Sequence, residues 1–409
     1  MATVLPFRGI LFDPTRVPDA GAVTCPPYDV ISDADRVALY DRHPYNVVRI
    51  ISGRREPGDG PGENAYSRAA AFFDSWLWEG VLRQDAEPAL YVYRQAFQDP
   101  SRRFRRVWGL VATIRLDDPV LAHENTMAGP KADRLALMEA LPVNISPIYA
   151  LYSRGGISHR LRHWAGESPA ADFTDDEGTR HTVWPARDPG FHREVAAALR
   201  DCPVMIADGH HRFQTARDYR DGHGAGGPAD QIMALLVDAA EEAVCILPYH
   251  RIVRSAGTSD VLPVLERAFD VEKLDDPDPD RIGLELWDDD RPGVFIAFTS
   301  AGAFRLVSRE PEPDEIPASI LRRLALHPLG ATSAQDHLSF TPRPPEVAEE
   351  VRSGRAVCGF LIQPVSVDRV WRLAETGAQM PEKSTYFHPK PKDGIVMRSL
   401  RQEDPAPPA

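Results

Sequence analysis

The chain has 409 residues, with 60 Asp and Glu against 47 Lys and Arg, so it carries a net charge of −13. That length exceeds one ordinary core and calls for two or three domains. The acidity excludes a general nucleic-acid or acidic-membrane binder, which needs a basic field, and leaves room only for a local basic pocket.

Four cysteines, Cys25, Cys202, Cys245 and Cys358, are widely spaced with no CxxC pair, as expected of reduced thiols packed in a cytoplasmic protein rather than a disulfide frame or structural zinc. No apolar run reaches the length of about eighteen residues that a membrane helix needs, and Met1 to Asp13 lacks the pattern of a signal peptide. The 38 prolines and 28 glycines divide the chain into many short elements, which favours a mixed α/β protein over a helical bundle.

In chain order, Cys25-Pro26-Pro27-Tyr28-Asp29 reads as a rigid turn with a packing cysteine, and Asn46 to Ile50 as a strand whose Arg49 seeks a carboxylate. Helical spacing of Ala65, Ala69, Phe72, Phe73, Trp76 and Leu77 predicts a helix within Glu63 to Gly80. Ala89 to Phe97 and Arg105 to Leu116 read as a hairpin across Gln98-Asp99-Pro100-Ser101, with Arg102, Arg103, Arg105 and Arg106 as a solvated basic turn.

Pro119 to Tyr152 holds a polar cluster that packing does not explain: His123-Glu124-Asn125-Thr126, then Lys131, Arg134 and Ser146-Pro147-Ile148. A connecting segment runs to Pro189, a helix spans Phe191 to Arg200, and Pro203 to Ala207 forms a short buried strand. Asp208-Gly209-His210-His211-Arg212 then opens a helix over Phe213 to Tyr219. Gly224 to Gly227 is a flexible loop without the Lys-Ser or Lys-Thr of a Walker motif. Gln231 to Val237 and Ala243 to Val253 are apolar strands, Asp275 to Pro292 a surface excursion or domain junction, and a C-terminal block runs from Val294 to Leu400. The expected domains are residues 1–118, 119–256 and 257–400, followed by a disordered tail over 401–409.

Free N–H groups and the positive end of the helix dipole gather at the start of a helix, so Asp208 to Arg212 suits phosphate. If the fold joins this turn to His123-Glu124, Glu124 can serve as general base while His210, His211 and Arg212 hold a transferring phosphoryl group. The same groups allow a second arrangement, in which His123, Glu124, Asp208 and His210 or His211 bind a divalent metal for ester hydrolysis. A third block, Met380 to Lys392, offers Lys383, Ser384, Thr385 and Lys390 on a proline-stiffened loop able to close over an anion.

These motifs together, Cys25 to Ile31, Asn46 to Arg49, His123-Glu124-x-Thr126, Ala207 to Arg212, His250-Arg251 and Met380 to Phe387, resemble the bacterial and archaeal domain-of-unknown-function-1015 family over nearly the whole chain. The central part is in turn similar to the ParB and sulfiredoxin superfamily, which includes the free-serine kinases. The resemblance implies an α/β fold with a ParB/sulfiredoxin-like centre, ATP or ADP with Mg²⁺ as cofactor, and transfer of phosphate to a small hydroxyl metabolite such as free serine. It implies that His210, His211 and Arg212 contact phosphate and that Glu124 is the base; the Lys383-Ser384-Thr385 block has no counterpart in the small kinases. Together with the reading of the residues themselves, the expected catalytic set is Glu124, Asp208, His211 and Arg212, and His123, Thr126, Gly209, His210, Lys383, Ser384 and Thr385 are expected to line the nucleotide. A non-catalytic nucleotide-binding regulator is the remaining alternative. Sulfinic-acid repair is not expected, because Gly209-His210 stands where that chemistry needs a cysteine.

Overall fold

The computed structural model describes residues 2–401 apart from 125–127, 154–155, 258–259, 276, 290, 311, 313–314 and 332–337. Two compact units divide the chain: Met1–Val244 with Pro389–Ala409, and Cys245–His388. The divisions expected at 118/119 and 256/257 therefore do not mark where the contacts part. The early hairpin is hydrogen-bonded into the same sheet as the strand before Gly209, and the last stretch of chain returns to the first unit.

The main sheet of the first unit contains nine strands among the described residues. They are Val4–Leu5 (β1), Leu90–Gln98 (β2), Phe104–Arg115 (β3), Val120–Leu121 (β4), Ile148–Tyr152 (β5), Ala171–Thr174 (β6), Arg180–Ala186 (β7), Val204–Asp208 (β8) and Gln231–Asp238 (β9). Their order is β4-β8-β5-β9-β3-β2-β7-β6, with β1 added to β3. The predicted hairpin is present, with Tyr91 opposite Val111 and Gln98 opposite Phe104. Alternate residues, Val92, Leu110, Ala112, Ile148, Ala150, Val204, Ile206, Ala234 and Leu236, form one core. Their neighbours Tyr91, Tyr93, Val111, Tyr149, Met205 and Leu235 are buried as well. Burial on both faces explains why these strands read as continuous apolar runs.

A second core gathers Phe73 and Trp76 of the helix Ala65–Trp78 with Val47, Val48, Leu137, Val143 and Met397. Here Val48–Ile51 is a helix rather than the expected strand. The Asn46 side chain decides this, since its oxygen accepts from the Val48 N–H at 3.0 Å and its amide donates to the Ala22 and Thr24 carbonyls. Arg49 donates to the Tyr40 carbonyl at 2.7 Å and lies over the Tyr40 ring, not against a carboxylate. The segment expected to be a connector before Pro189 instead supplies β6 and β7.

The second unit has an antiparallel sheet in the order Phe269–Lys273, Gly302–Ser308, Val294–Thr299, Cys358–Leu361, His250–Val253, Leu338–Thr341. The expected single strand over Ala243 to Val253 is two, Cys245–Leu247 and His250–Val253, separated at Pro248, which cannot donate to a ladder. The supposed surface excursion contains the helix Pro279–Trp287, capped by Asp278, whose Ile282 and Leu286 enter the core.

Residues Pro389 to Leu400 form a strap that completes the first unit. Gln95 donates to the Pro389 and Lys390 carbonyls, Cys25 and Asp393 form a backbone bridge, and Met397 pairs with Ile10. The Arg398 guanidinium donates to the Asn144 side chain and to the Gln231 and Pro228 carbonyls. All four cysteines are free and buried. Among the described residues no helix is long and apolar enough to cross a membrane. Residues 402–409 of the expected tail lie outside the described residues.

Gly394 holds the strap in the left-handed region at φ +81, and a Cβ there would stand 2.9 Å from three side-chain atoms of Val47. Gly394→Ala should therefore lower stability by about 2–4 kcal/mol, combining left-handed strain with overpacking. A denaturant midpoint equal to that of the wild type would contradict this packing.

Candidate functional site

At the end of β8 the register against β5 shifts between Ile206 and Asp208, and the chain turns at Gly209 into the helix His210–His223. Gly209 has φ +100, and a Cβ on it would lie 2.9 Å from Ile148 Cγ2 and 3.1 Å from Arg212 guanidinium nitrogens. The turn thus requires glycine. Gly209 at the N-cap has no side chain to cap the helix, and the first-turn amides have no carbonyl partner within it.

Arg212 folds back beneath the turn. Its Nη1 donates to Ser146 Oγ at 2.9 Å and to the Pro147 carbonyl at 2.6 Å, and its Nη2 to Asp208 Oδ2 at 2.8 Å. Asp208 Oδ1 accepts from Lys390 Nζ at 2.7 Å, and Lys390 also reaches Asp29 Oδ2 at 3.0 Å. Burial works against the charge on Arg212, but Asp208, Asp393 and Asp29 more than offset it and its pKa is raised. Asp393 is wholly buried, and burial pushes its carboxyl up to about 7 although Arg212 and the Ser146 hydroxyl pull the other way.

Arg212, expected to hold phosphate, has its guanidinium hydrogen-bonded to Ser146, the Pro147 carbonyl and Asp208. The proposed metal set is disfavoured for a related reason, since both Asp208 oxygens face cations. Among the described residues no group of three or more His, Cys, Asp or Glu is arranged to hold a metal ion.

The fold does bring Glu124 to His210. The His123 backbone N–H donates to His210 Nε2 at 3.4 Å, the two rings meet edge-on at 4.6 Å, and His210 Nδ1 lies 3.9 Å from Glu124 Oε2. Because Nε2 accepts, the proton of a neutral His210 sits on Nδ1 and faces Glu124. Burial lowers the His210 pKa to about 4; burial and then repulsion by His210 lower that of His123 to about 3. Both rings are neutral near pH 7, so His210 offers a hydrogen bond rather than a positive charge.

His211 is half-buried on the first helical turn, and Thr126 lies outside the described residues. Arg134 lies 4.2 Å from the Tyr28 ring centroid and donates to the Ile51 carbonyl, joining the turn after Pro26-Pro27 to the helix Ala128–Ala140. Lys383, Ser384 and Thr385 belong to the second unit. There Lys383 has φ +56, its ammonium stands 5.3 Å from the Tyr249 ring centroid, its carbonyl accepts from buried Arg251, and Ser384 Oγ donates to the Pro381 carbonyl.

Sequence reasoning treated Asp29 as part of a rigid turn and Lys390 as part of the distant loop, and it missed Asp393. It also missed a buried chain in which the Tyr93 hydroxyl bonds His181 Nδ1 at 2.7 Å and His181 Nε2 bonds Asp175 at 3.0 Å. Lys392 Nζ meets the same Asp175 carboxylate at 2.6 Å. The signal available for these was the run of lysines and an aspartate, Lys390-Pro391-Lys392-Asp393, between apolar stretches.

A family profile described as "Protein of unknown function (DUF1015)" matches residues 4–327. No curated protein matches the chain. Among solved structures the chain is similar to a free serine kinase in complex with AMP, at 14% identity and a TM-score of 0.38, covering 68% of this chain and 86% of that one. It is similar to a conserved hypothetical protein from Pyrococcus furiosus at 14% identity and a TM-score of 0.36, covering 68% of this chain and 89% of that one. For the C-terminally truncated SbnI from Staphylococcus aureus the identity is 12% and the TM-score 0.36, with 69% and 85% covered.

His210 titrates near 4 in the folded protein and near ~6.5 when unfolded. As pH falls below that ordinary value, the unfolded chain binds a proton that the folded chain cannot, so stability present above pH ~6.5 is lost toward pH ~4. The stability advantage of the wild type over His210→Gln should shrink between pH 7 and 4.5 in denaturant titrations; a constant difference would contradict a buried neutral ring.

Proposed function

The chain belongs to the DUF1015 family of proteins of unknown function, and we propose that it binds a nucleotide by its phosphates at Asp208 to Arg212 and transfers phosphate from ATP or ADP to a small hydroxyl compound. The observation that carries this reading is the helix that starts at left-handed Gly209, with Glu124 and neutral His210 beside it.

Charge at the turn is balanced: Arg212 and Lys390 are matched by Asp208 and Asp29. Phosphate recognition then rests on backbone N–H groups and the helix dipole rather than on a net basic field, which suits an acidic protein. The described residues do not form a metal cage. Mg²⁺ would arrive with the nucleotide, held by phosphate oxygens and water, and would offset phosphate charge.

In the transfer step Glu124 accepts the proton of the acceptor hydroxyl as its oxygen attacks the terminal phosphorus and the nucleotide leaves one phosphate shorter. The Nδ1–H of His210 faces Glu124 and orients the carboxylate. Free serine is the first acceptor to test, since a free serine kinase is among the similar structures.

Calorimetry with a nucleoside di- and triphosphate panel should show binding that Gly209→Val weakens at least about tenfold, by closing the turn with a side chain. Glu124→Gln should lower turnover by about a hundredfold or more while leaving nucleotide affinity within about threefold. A wild type that binds no nucleotide, or a Glu124→Gln variant that forms phosphorylated acceptor at the wild-type rate, would reject the proposal.

A further inference from the structure

Lys390 and Lys392 stand two residues apart on the strap, yet their ammonium groups reach opposite ends of the main sheet. Lys390 meets Asp208 at the end of β8, near one end of the strand order, at 2.7 Å. Lys392 meets Asp175, which follows β6 at the other end, at 2.6 Å. The strap is thus a cross-tie, and what fixes Lys392 bears on Lys390.

Lys392 is fixed by a closed circuit of buried hydrogen bonds. Its backbone N–H donates to the Tyr93 hydroxyl, the hydroxyl bonds His181 Nδ1 at 2.7 Å, His181 Nε2 bonds Asp175 Oδ2 at 3.0 Å, and that oxygen returns to the Lys392 ammonium. An Asp175 carboxylate only accepts, so a neutral His181 carries its proton on Nε2 and takes the Tyr93 proton at Nδ1. Burial, the largest effect, holds the His181 pKa below its ordinary value against the pull of Asp175, with Lys392 adding to it.

Asp175 is held in turn by the hairpin between β6 and β7, where its Oδ1 accepts from the Glu177 and Thr179 N–H groups at 3.0 and 2.9 Å. Phe173 and Tyr93 both stack against the His181 ring, with centroids 5.1 and 5.9 Å away. The two His181 nitrogens, the Tyr93 hydroxyl and both Asp175 oxygens are therefore matched. A buried network satisfied in this way adds little net stability but fixes one arrangement.

We propose that Tyr93, His181 and Asp175 are positioning residues of the candidate site, acting through Lys392: their circuit sets where the strap lies and so where Lys390 meets Asp208. Breaking the circuit releases one end of the tie, and Lys390 then pulls on Asp208 from a backbone that can shift. That these contacts matter to a nucleotide rests on the phosphate-binding reading of the turn; that they hold the strap does not.

The test pairs amide hydrogen exchange over the strap, Pro389 to Leu400, with ADP calorimetry on the full chain. The proteins are the wild type, Tyr93→Phe, Lys392→Met and the double variant, each measured well below its melting temperature. Tyr93→Phe keeps the aromatic packing and removes one hydroxyl. It should speed exchange in the strap at least about tenfold and weaken ADP binding at least about fivefold, and Lys392→Met should do as much or more. Because one break opens the circuit, the double variant should bind ADP as the weaker single variant does, within about twofold; independent structural contributions would multiply. Should Lys392→Met not fold, Tyr93→Phe with His181→Gln makes the same comparison. Wild-type strap exchange or wild-type ADP affinity in Tyr93→Phe, or losses that multiply in the double variant, would overturn the positioning role. A wild type that binds no ADP overturns the nucleotide reading, and the exchange result then decides by itself whether the circuit holds the strap.

Discussion

The ion-pair chain Asp29–Lys390–Asp208–Arg212 is the constraint on which the candidate site depends. It joins the turn after Pro26-Pro27, the end of β8 and the final strap, three segments far apart in sequence. Arg212 extends it to Ser146 and the Pro147 carbonyl, just before β5. Partly buried pairs of this kind add little net stability, because desolvation offsets attraction, but removing one member leaves a charge stranded. Their effect is on position: the Arg212 guanidinium and Ile148 lie so close to left-handed Gly209 that a Cβ there would meet both.

The same balance decides what the site can recognise. Two cations against two carboxylates leave little field for a phosphate, and burial keeps His123 and His210 neutral. What remains is a set of directed donors at a helix start and one half-buried carboxylate, Glu124, facing a ring N–H. On the function proposed above, these groups would orient a phosphoryl group and remove one proton.

Much of the first unit was legible in the sequence because its signals are local. The hairpin shows itself by two apolar runs around Gln98 to Ser101, and the helix Ala65–Trp78 by its spacing of aromatics. The turn at Gly209 stands out because an apolar strand stops at a glycine and two histidines. Segments whose structure comes from distant partners were not legible. β7 reads as a connector because Arg180, His181, Thr182 and Pro185 interrupt it, and only the ladders to β2 and β6 make it a strand. Asn46 to Ile50 has strand-like composition, but the Asn46 side chain closes a turn that composition does not show. The helix Pro279–Trp287 buries only two apolar residues and is hidden by the aspartates around it. At the site, the sequence marks Glu124 and His210 as unusual polar residues but leaves their meeting to the fold, and the inward turn of Arg212 requires Ser146, Pro147 and Asp208 to be placed first. The strap escaped notice for the same reason, since the partners of Lys390 and Lys392 lie hundreds of residues earlier.

The most direct measurement is a crystal structure of the full chain with ADP and Mg²⁺. The account places a phosphate within hydrogen-bond reach, about 3 Å, of the backbone N–H groups of His210 to Arg212, with Glu124 facing it and Asp208 still bound to Lys390 and Arg212. A nucleotide whose phosphates lie away from that helix start, or an Asp208 carboxylate capping it in the phosphate's place, would contradict the account.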